Sequence, residues 1–179
     1  MLSELSENIT KNDSLEHDFL LFLLKKFEGF SAVPYKCQAG VWTIGYGHTK
    51  GVTKKALPVS KEQASNMLSK DIVELTEIVC GSLSKSTLSP IQKCVVVSLV
   101  YNIGVGNWDN STIKKKIESH DTVDSISEEF PRWNKVRVKG ELVVSKGLVN
   151  RRDIEKDVFL NGTISGAYQE YKAEQKENQ

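Results

Sequence analysis

The sequence predicts an α+β fold in which a small antiparallel β lobe is joined to a larger, mainly helical lobe. Residues 30–52 consist of short apolar runs interrupted by glycine, a pattern typical of a small sheet with tight turns. Residues 61–79 repeat apolar side chains at helical spacing, and residues 90–100 are apolar on nearly every side. Because a helix that is apolar all round must be buried, we expect residues 90–100 to form the centre of the helical lobe.

The first helix is predicted to start at Ser14, a suitable N-cap, and to stop at Gly29. Between them, apolar side chains recur every three or four residues: Phe19, Leu20, Leu23, Leu24 and Phe27. This pattern puts Glu28 in the last turn of the helix. Residues 1–14 have no such pattern and are predicted to form a mobile N-terminal arm.

The helical lobe is predicted to contain several further helices. Ser60 and Gln63 have the spacing of a capping box, and Ser89-Pro90 is a typical helix start. Asn110 or Ser111 is expected to cap a short helix that ends at Ile117. Two more helices are predicted over residues 123–130 and 151–159, with a strand-like stretch between them.

A chain of 179 residues and 20.0 kDa fits one domain. We expect this domain to cover residues 15–165. Its β lobe is predicted at about residues 29–59 and its helical lobe at about residues 60–165. Residues 166–179 are expected to form a charged C-terminal tail.

The composition argues against nucleic-acid or membrane partners. Lys and Arg number 24 and Asp and Glu 23, so the net charge of +1 gives no strong attraction to polyanions. The longest apolar run, Phe19–Leu24, is far shorter than the roughly 20 residues of a membrane-spanning helix. Polar residues interrupt the N-terminus before a secretory signal could form. We therefore expect synthesis in the cytoplasm and no membrane insertion.

Three cysteines are present, Cys37, Cys80 and Cys94. Because the number is odd, at least one thiol is free, and the wide spacing does not suit a metal site. We expect no metal or organic cofactor.

The most informative segments lie close together near the end of the first helix. They are Glu28-Gly29-Phe30, Tyr35-Lys36-Cys37 and Gly40-Val41-Trp42-Thr43-Ile44-Gly45-Tyr46-Gly47-His48. They resemble the phage-type lysozymes, the endolysin or muramidase family of glycoside hydrolases, with its Glu-Gly, Tyr-x-Asp and Gly-x-x-Thr-Ile-Gly-x-Gly-His elements. Later stretches also agree with this family: Leu88–Gln92, Tyr101–Gly104, Ser111–Ile113, Phe130–Asn134 and Gly147–Glu155. The resemblance runs from about Phe19 to Leu160.

This resemblance implies a lysozyme-like fold whose two lobes flank a cleft. It also implies hydrolysis of the β-1,4 bond between N-acetylmuramic acid and N-acetylglucosamine in bacterial peptidoglycan. Glu28 would be the general acid and Thr43 would help position or activate water. Five further residues are implied to bind substrate or support the site: His48, Tyr35, Gly47, Asn102 and Arg151. We expect a monomer that reaches the wall through a pore or an export system.

Cys37 stands where the family usually has a catalytic aspartate. A thiol with an ordinary pKa near 8.5 is only slightly ionised at neutral pH, so it is a weak base. Cys37 is therefore interpreted as a base or water-positioning group, a nucleophile, a redox switch or a loss of function. Two alternatives to hydrolysis follow: a wall-binding protein with weakened catalysis, or a lytic transglycosylase, which needs one acid/base and no water.

For Glu28, the helix end offers a reason to hold a proton. The negative end of the helix dipole and a partly apolar lobe both disfavour a carboxylate there. A general acid for glycoside cleavage must be protonated, which suits this position.

Overall fold

The first element is a long helix, α1, which spans Leu2–Glu28. The computed structural model describes residues 2–37, 40–138 and 140–162, with side chains from Leu15 onward. Helix α1 begins well before Ser14, the predicted cap, because neither proline nor glycine interrupts residues 2–28. The helix is therefore continuous through residue 14. The separation of residues 1–14 from the domain stays a prediction. The end of α1 at Glu28 is as predicted.

The β lobe contains two antiparallel strands, β1 at Ser31–Lys36 and β2 at Trp42–Gly45. Tyr35 pairs with Thr43 across the strands, and the register shifts between Ser31 and Tyr35. After β2 the chain turns sharply. The backbone N–H of Ile44 donates a hydrogen bond to the His48 carbonyl oxygen, and the His48 N–H donates to the Ile44 carbonyl oxygen. The sheet predicted within residues 30–52 is confirmed.

Two capped helices follow, α2 at Lys61–Ser82 and α3 at Pro90–Ile103. Both capping boxes are formed, by Ser60 with Gln63 and by Ser89 with Gln92. Helix α3 packs against α1, α2 and the C-terminal helix, and most of its side chains are buried. Its predicted place at the centre of the helical lobe is confirmed.

The remaining elements complete the helical lobe and add a second hairpin. They are α4 (Val105–Asp109), α5 (Thr112–Glu118), α6 (Val123–Ser127), a 3-10 helix (Phe130–Trp133), β3 (Lys135–Val138), β4 (Glu141–Val144) and α7 (Lys146–Asn161). Ser111 caps α5 as predicted. Helix α7 starts earlier than the predicted residue 151, because Ser145 accepts a hydrogen bond from the Leu148 N–H and caps it there.

The core lies between α1, α2, α3 and α7, and its largest buried side chains include Trp108, Phe130 and Phe159. Buried among them are the charged residues Arg152 and Glu155. None of the helices in the described part of the chain has both the length and the apolar character needed to cross a bilayer. The tail predicted over residues 166–179 lies outside the described residues.

Candidate active site

A large cavity lies between the β lobe, the end of α3, the β3–β4 hairpin and the start of α7. Its volume is about 1020 Å³, enough to hold an oligosaccharide. Five of the residues singled out from the sequence line it: Glu28, Cys37, Gly47, Asn102 and Arg151. These residues come from distant parts of the chain, and the fold brings them to one surface.

Glu28 is the last residue of α1, and its side chain is only 19% exposed. Its Oε1 accepts a hydrogen bond of 2.6 Å from Nη1 of Arg151, whose guanidinium also lies over the ring of Phe27. Its Oε2 faces Gly47, where an added Cβ would lie 3.3 Å from this oxygen. The carboxyl group is therefore anchored through one oxygen and directs the other toward the turn after β2.

Arg151 connects Glu28 to a buried charge network beneath the cavity. Its Nε donates to Oε1 of Glu155 at 3.0 Å, and its Nη2 donates to the carbonyl oxygen of Ser98 at 3.0 Å. The Ser98 hydroxyl donates to the same Glu155 oxygen, while Nε of Arg152 lies 2.8 Å from Oε2 of Glu155. Burial raises the pKa of Glu155, an effect that the two guanidinium groups oppose, and lowers that of Arg152 to about 10. This network fixes the position of Arg151 and, through it, of Glu28.

Cys37 follows the last residue of β1 and lines the same cavity as Glu28. Its backbone N–H donates to the carbonyl oxygen of Val41 at 3.0 Å, and its own carbonyl accepts from the Gly40 N–H at 2.8 Å. The hydroxyl of Thr43 donates to the same Val41 oxygen at 3.1 Å. Thr43 is buried and does not belong to the described lining of the cavity. The hydrogen bond from Thr43 to Val41 thus stabilises the turn that carries Cys37.

Two tyrosines lie close to this pair. Tyr35 is half-exposed outside the described lining of the cavity, and its pKa is raised by partial burial and by the negative charges of Glu28 and Cys37. Tyr101 lines the cavity, and its hydroxyl donates to the carbonyl oxygen of Tyr46 at 2.8 Å. Burial, followed by neighbouring carboxylates, raises the pKa of Tyr101 and keeps the phenol neutral. Tyr101 thus joins the central helix to the β lobe.

Gly47 is required where Tyr101 approaches. Its φ of +89° is unfavourable for residues with a Cβ, and a Cβ there would lie 3.2 Å from the Tyr101 ring. Asn102, the next residue along α3, lines the cavity near the helix end. Its predicted contact with glycan stays a prediction.

His48 connects the β lobe to α2. Its Nδ1 lies 2.7 Å from Oδ2 of Asp71, and its Nε2 lies 3.0 Å from the carbonyl oxygen of Lys50. Both ring nitrogens therefore face acceptor oxygens of neighbouring residues. The described lining of the cavity does not include His48. These contacts suit a structural role, and its predicted support of the site stays a prediction.

Replacing Tyr101 with phenylalanine tests the contact between the lobes. The substitution removes the donor to the Tyr46 carbonyl but keeps the ring against Gly47. We expect the free energy of unfolding to fall by about 0.5–1.5 kcal/mol, the usual contribution of one hydrogen bond. Urea unfolding measures this change, and an unchanged unfolding midpoint and slope would contradict it.

Comparison with known proteins agrees with this geometry. The family model described as Phage lysozyme matches residues 25–155, which is most of the chain. The chain belongs to the phage lysozyme family. This membership confirms the resemblance and the lysozyme-like α+β fold, and it makes the protein a glycoside hydrolase of the muramidase type that hydrolyses peptidoglycan.

Individual relatives are endolysins. The chain is 37% identical over 139 residues to an endolysin of Acyrthosiphon pisum secondary endosymbiont phage 1. The matched region covers 78% of this chain and 93% of the relative. It is 31% identical to a SAR-endolysin of Enterobacteria phage P21, over 75% of this chain and 78% of the relative. A solved endolysin from Escherichia coli O157:H7 phage FAHEc1 has a TM-score of 0.71 and 34% identity, covering 81% of this chain and 92% of that structure.

Several residues that line the lysozyme cavity were not predicted to be site residues. They are Tyr101, Thr49, Trp133, Lys135, Arg137 and Leu142, among others. The alternation Lys-Val-Arg-Val at residues 135–138 carries a usable signal, because it puts two cations on one face of a strand. Thr49, a single polar residue in a turn, carries none.

Proposed function

We propose that this protein cleaves the β-1,4 bond between N-acetylmuramic acid and N-acetylglucosamine with Glu28 as the general acid. The observation that carries the proposal is the Glu28 carboxyl at the wall of a cavity of about 1020 Å³, with one oxygen hydrogen-bonded to Arg151 and the other facing Gly47, which lines the same cavity. Glycoside cleavage needs such a group, because the leaving oxygen must receive a proton.

The hydrogen bond from Arg151 determines which Glu28 oxygen can deliver that proton. Oε1 accepts from the guanidinium and cannot carry a proton in the same direction. A proton that Glu28 delivers to the leaving oxygen is therefore carried on Oε2, which faces the turn at Gly47. A glycosidic oxygen held near Gly47 would receive it directly.

Cys37 is proposed as the group that activates or positions the attacking water. It lines the same cavity as Glu28 and follows β1, and its backbone N–H donates to the Val41 carbonyl oxygen that also accepts from the Thr43 hydroxyl. In this arrangement Thr43 contributes to catalysis by holding the Cys37 turn in place. A transient bond from the sulfur to the sugar, which would retain the anomeric configuration, is the second candidate for Cys37.

A Cys37 series tests the role as a base. As a base, the thiol should be replaceable by aspartate without loss, because a carboxylate is fully ionised at neutral pH. Cys37→Ser should lower kcat by roughly 10²-fold or more, since a hydroxyl is a far weaker base. Initial rates of reducing-end release measure both variants, and Cys80→Ser, a thiol outside the described lining of this cavity, is the matched control. A Cys37→Ser protein with normal kcat would contradict this role.

Product analysis tests the reaction itself. Purified peptidoglycan is incubated with the protein, and the soluble fragments are analysed by mass spectrometry. Hydrolysis gives reducing muramic acid ends, whereas a lytic transglycosylase gives anhydromuramic ends. Binding to peptidoglycan without either product, combined with strong gain of activity in Cys37→Asp, would favour the catalytically weakened binding protein.

We propose that the protein acts as a monomer, which light scattering tests. We also propose synthesis in the cytoplasm, no insertion into the membrane and passage to the wall through a pore or an export system. Fractionation of expressing cells, with and without a pore-forming protein, tests this route.

A further inference from the structure

The β3–β4 hairpin forms one wall of the cavity that contains Glu28. Its side chains at the cavity include Lys135, Arg137 and Leu142. The general acid comes from α1, so groups attached to a glycan bound at Glu28 can reach the hairpin across the same cavity.

The pairing of the two strands puts the hairpin cations on one face. Side chains alternate along a strand, so Lys135 and Arg137 point to the same side. Arg137 pairs with Leu142 and Lys135 with Val144, and directly paired residues share a face. This face therefore carries two cations, and the exposed apolar side chains of Leu142 and Val144 lie beside them.

The charges that line the cavity are unbalanced. Its lining includes the cations Arg132, Lys135, Arg137 and Arg151, but Glu28 is the only carboxylate in the described lining. Arg151 pairs with Glu28, and Arg132 pairs with Glu129. Within residues 15–162 as described, no ion pair involves the other two, Lys135 and Arg137. Arg137 donates one bond, from Nη1 to the Gly140 carbonyl, which leaves further guanidinium donors for a ligand.

We infer that Lys135 and Arg137 bind the carboxylates of the peptide stems on peptidoglycan, so that the enzyme prefers glycan strands with anionic stems. This inference rests on the proposed function. Each stem is attached to the muramic acid whose glycosidic bond is cleaved, so a stem must leave the cavity close to the reacting bond. Arginine and lysine are suited to carboxylates, and the Leu142 side chain offers apolar contact to alanine methyl groups of the stem.

The test compares three substrates: peptidoglycan with free stem carboxylates, the same polymer with amidated stems, and glycan from which an amidase has removed the stems. We expect the unchanged protein to have the lowest KM on the first. In the double variant Lys135→Gln/Arg137→Gln, that KM should rise roughly tenfold, as expected for losing charged contacts, while kinetics on stem-free glycan stay the same. Lys54→Gln/Lys55→Gln removes two exposed charges away from the cavity and should change nothing.

Two further measurements keep the inference separate from folding and from the proposed function. Preference for free carboxylates in the unchanged protein should fall as salt increases, because exposed ion pairs are screened. Sedimentation of Glu28→Gln protein with insoluble free-carboxylate and amidated peptidoglycan measures the same preference without catalysis. Equal binding to both polymers, or equal KM ratios in unchanged and double-variant proteins, overturns the inference and leaves hydrolysis intact. Absence of reducing ends from all substrates overturns the proposed function instead.

Discussion

Glu28→Gln is expected to reduce hydrolysis of peptidoglycan by roughly 10²–10⁴-fold in kcat, the usual contribution of a general acid. The glutamine oxygen can still accept the hydrogen bond from Arg151 Nη1, and the side chain has the same shape. Its amide group, however, has no acidic proton to give to the leaving sugar. The fold should therefore persist while proton transfer is lost.

Release of reducing ends from purified peptidoglycan measures this loss, and circular dichroism with thermal unfolding verifies the fold. Glu74→Gln is the matched control. Glu74 lies on α2, forms an exposed ion pair with Lys50 and does not belong to the described cavity lining. It should hydrolyse at the normal rate. A Glu28→Gln protein with a near-normal rate would exclude Glu28 as the acid and remove the basis of the proposed mechanism.

Local signals in the sequence were sufficient for the elements that surround the site. Ser60 with Gln63 and Ser89 with Gln92 predicted the starts of α2 and α3, because a cap depends only on residues three positions apart. Glycine spacing predicted the β1–β2 turn for a similar reason. The predicted start of α1 at Ser14 was wrong, because a serine can cap a helix but does not prevent the helix from starting earlier.

The contacts that organise the site are not local, and sequence patterns cannot specify them. Arg151 lies 123 positions from Glu28, and no local pattern distinguishes it from its neighbour Arg152; the choice of Arg151 rested on the family resemblance. Only the packing of α7 against α3 separates them: Arg151 faces Ser98 and the cavity, whereas Arg152 is buried against Glu155. The position of the β3–β4 hairpin at the cavity that contains Glu28 likewise follows from tertiary packing.

Glu155→Gln is expected to lower the free energy of unfolding by about 3–5 kcal/mol, because breaking a buried ion network leaves its charges uncompensated. Glu155 is fully buried and contacts both Arg151 and Arg152, at 3.0 and 2.8 Å. The neutral amide leaves two adjacent guanidinium groups without their shared carboxylate. For a domain of this size, the loss corresponds to a Tm lower by about 6–20 °C.

Urea unfolding measures the change, with Glu74→Gln again as control, since an exposed pair contributes only about 0–1 kcal/mol. The double variant Arg152→Met/Glu155→Gln should recover part of the loss, because it removes one of the uncompensated cations and leaves Arg151 paired with Glu28. Activity should follow the same order, since Arg151 positions the general acid. If the double variant is less stable than Glu155→Gln, charge imbalance is not the cause, and Glu155 stabilises the fold through packing and its hydrogen bond from Ser98.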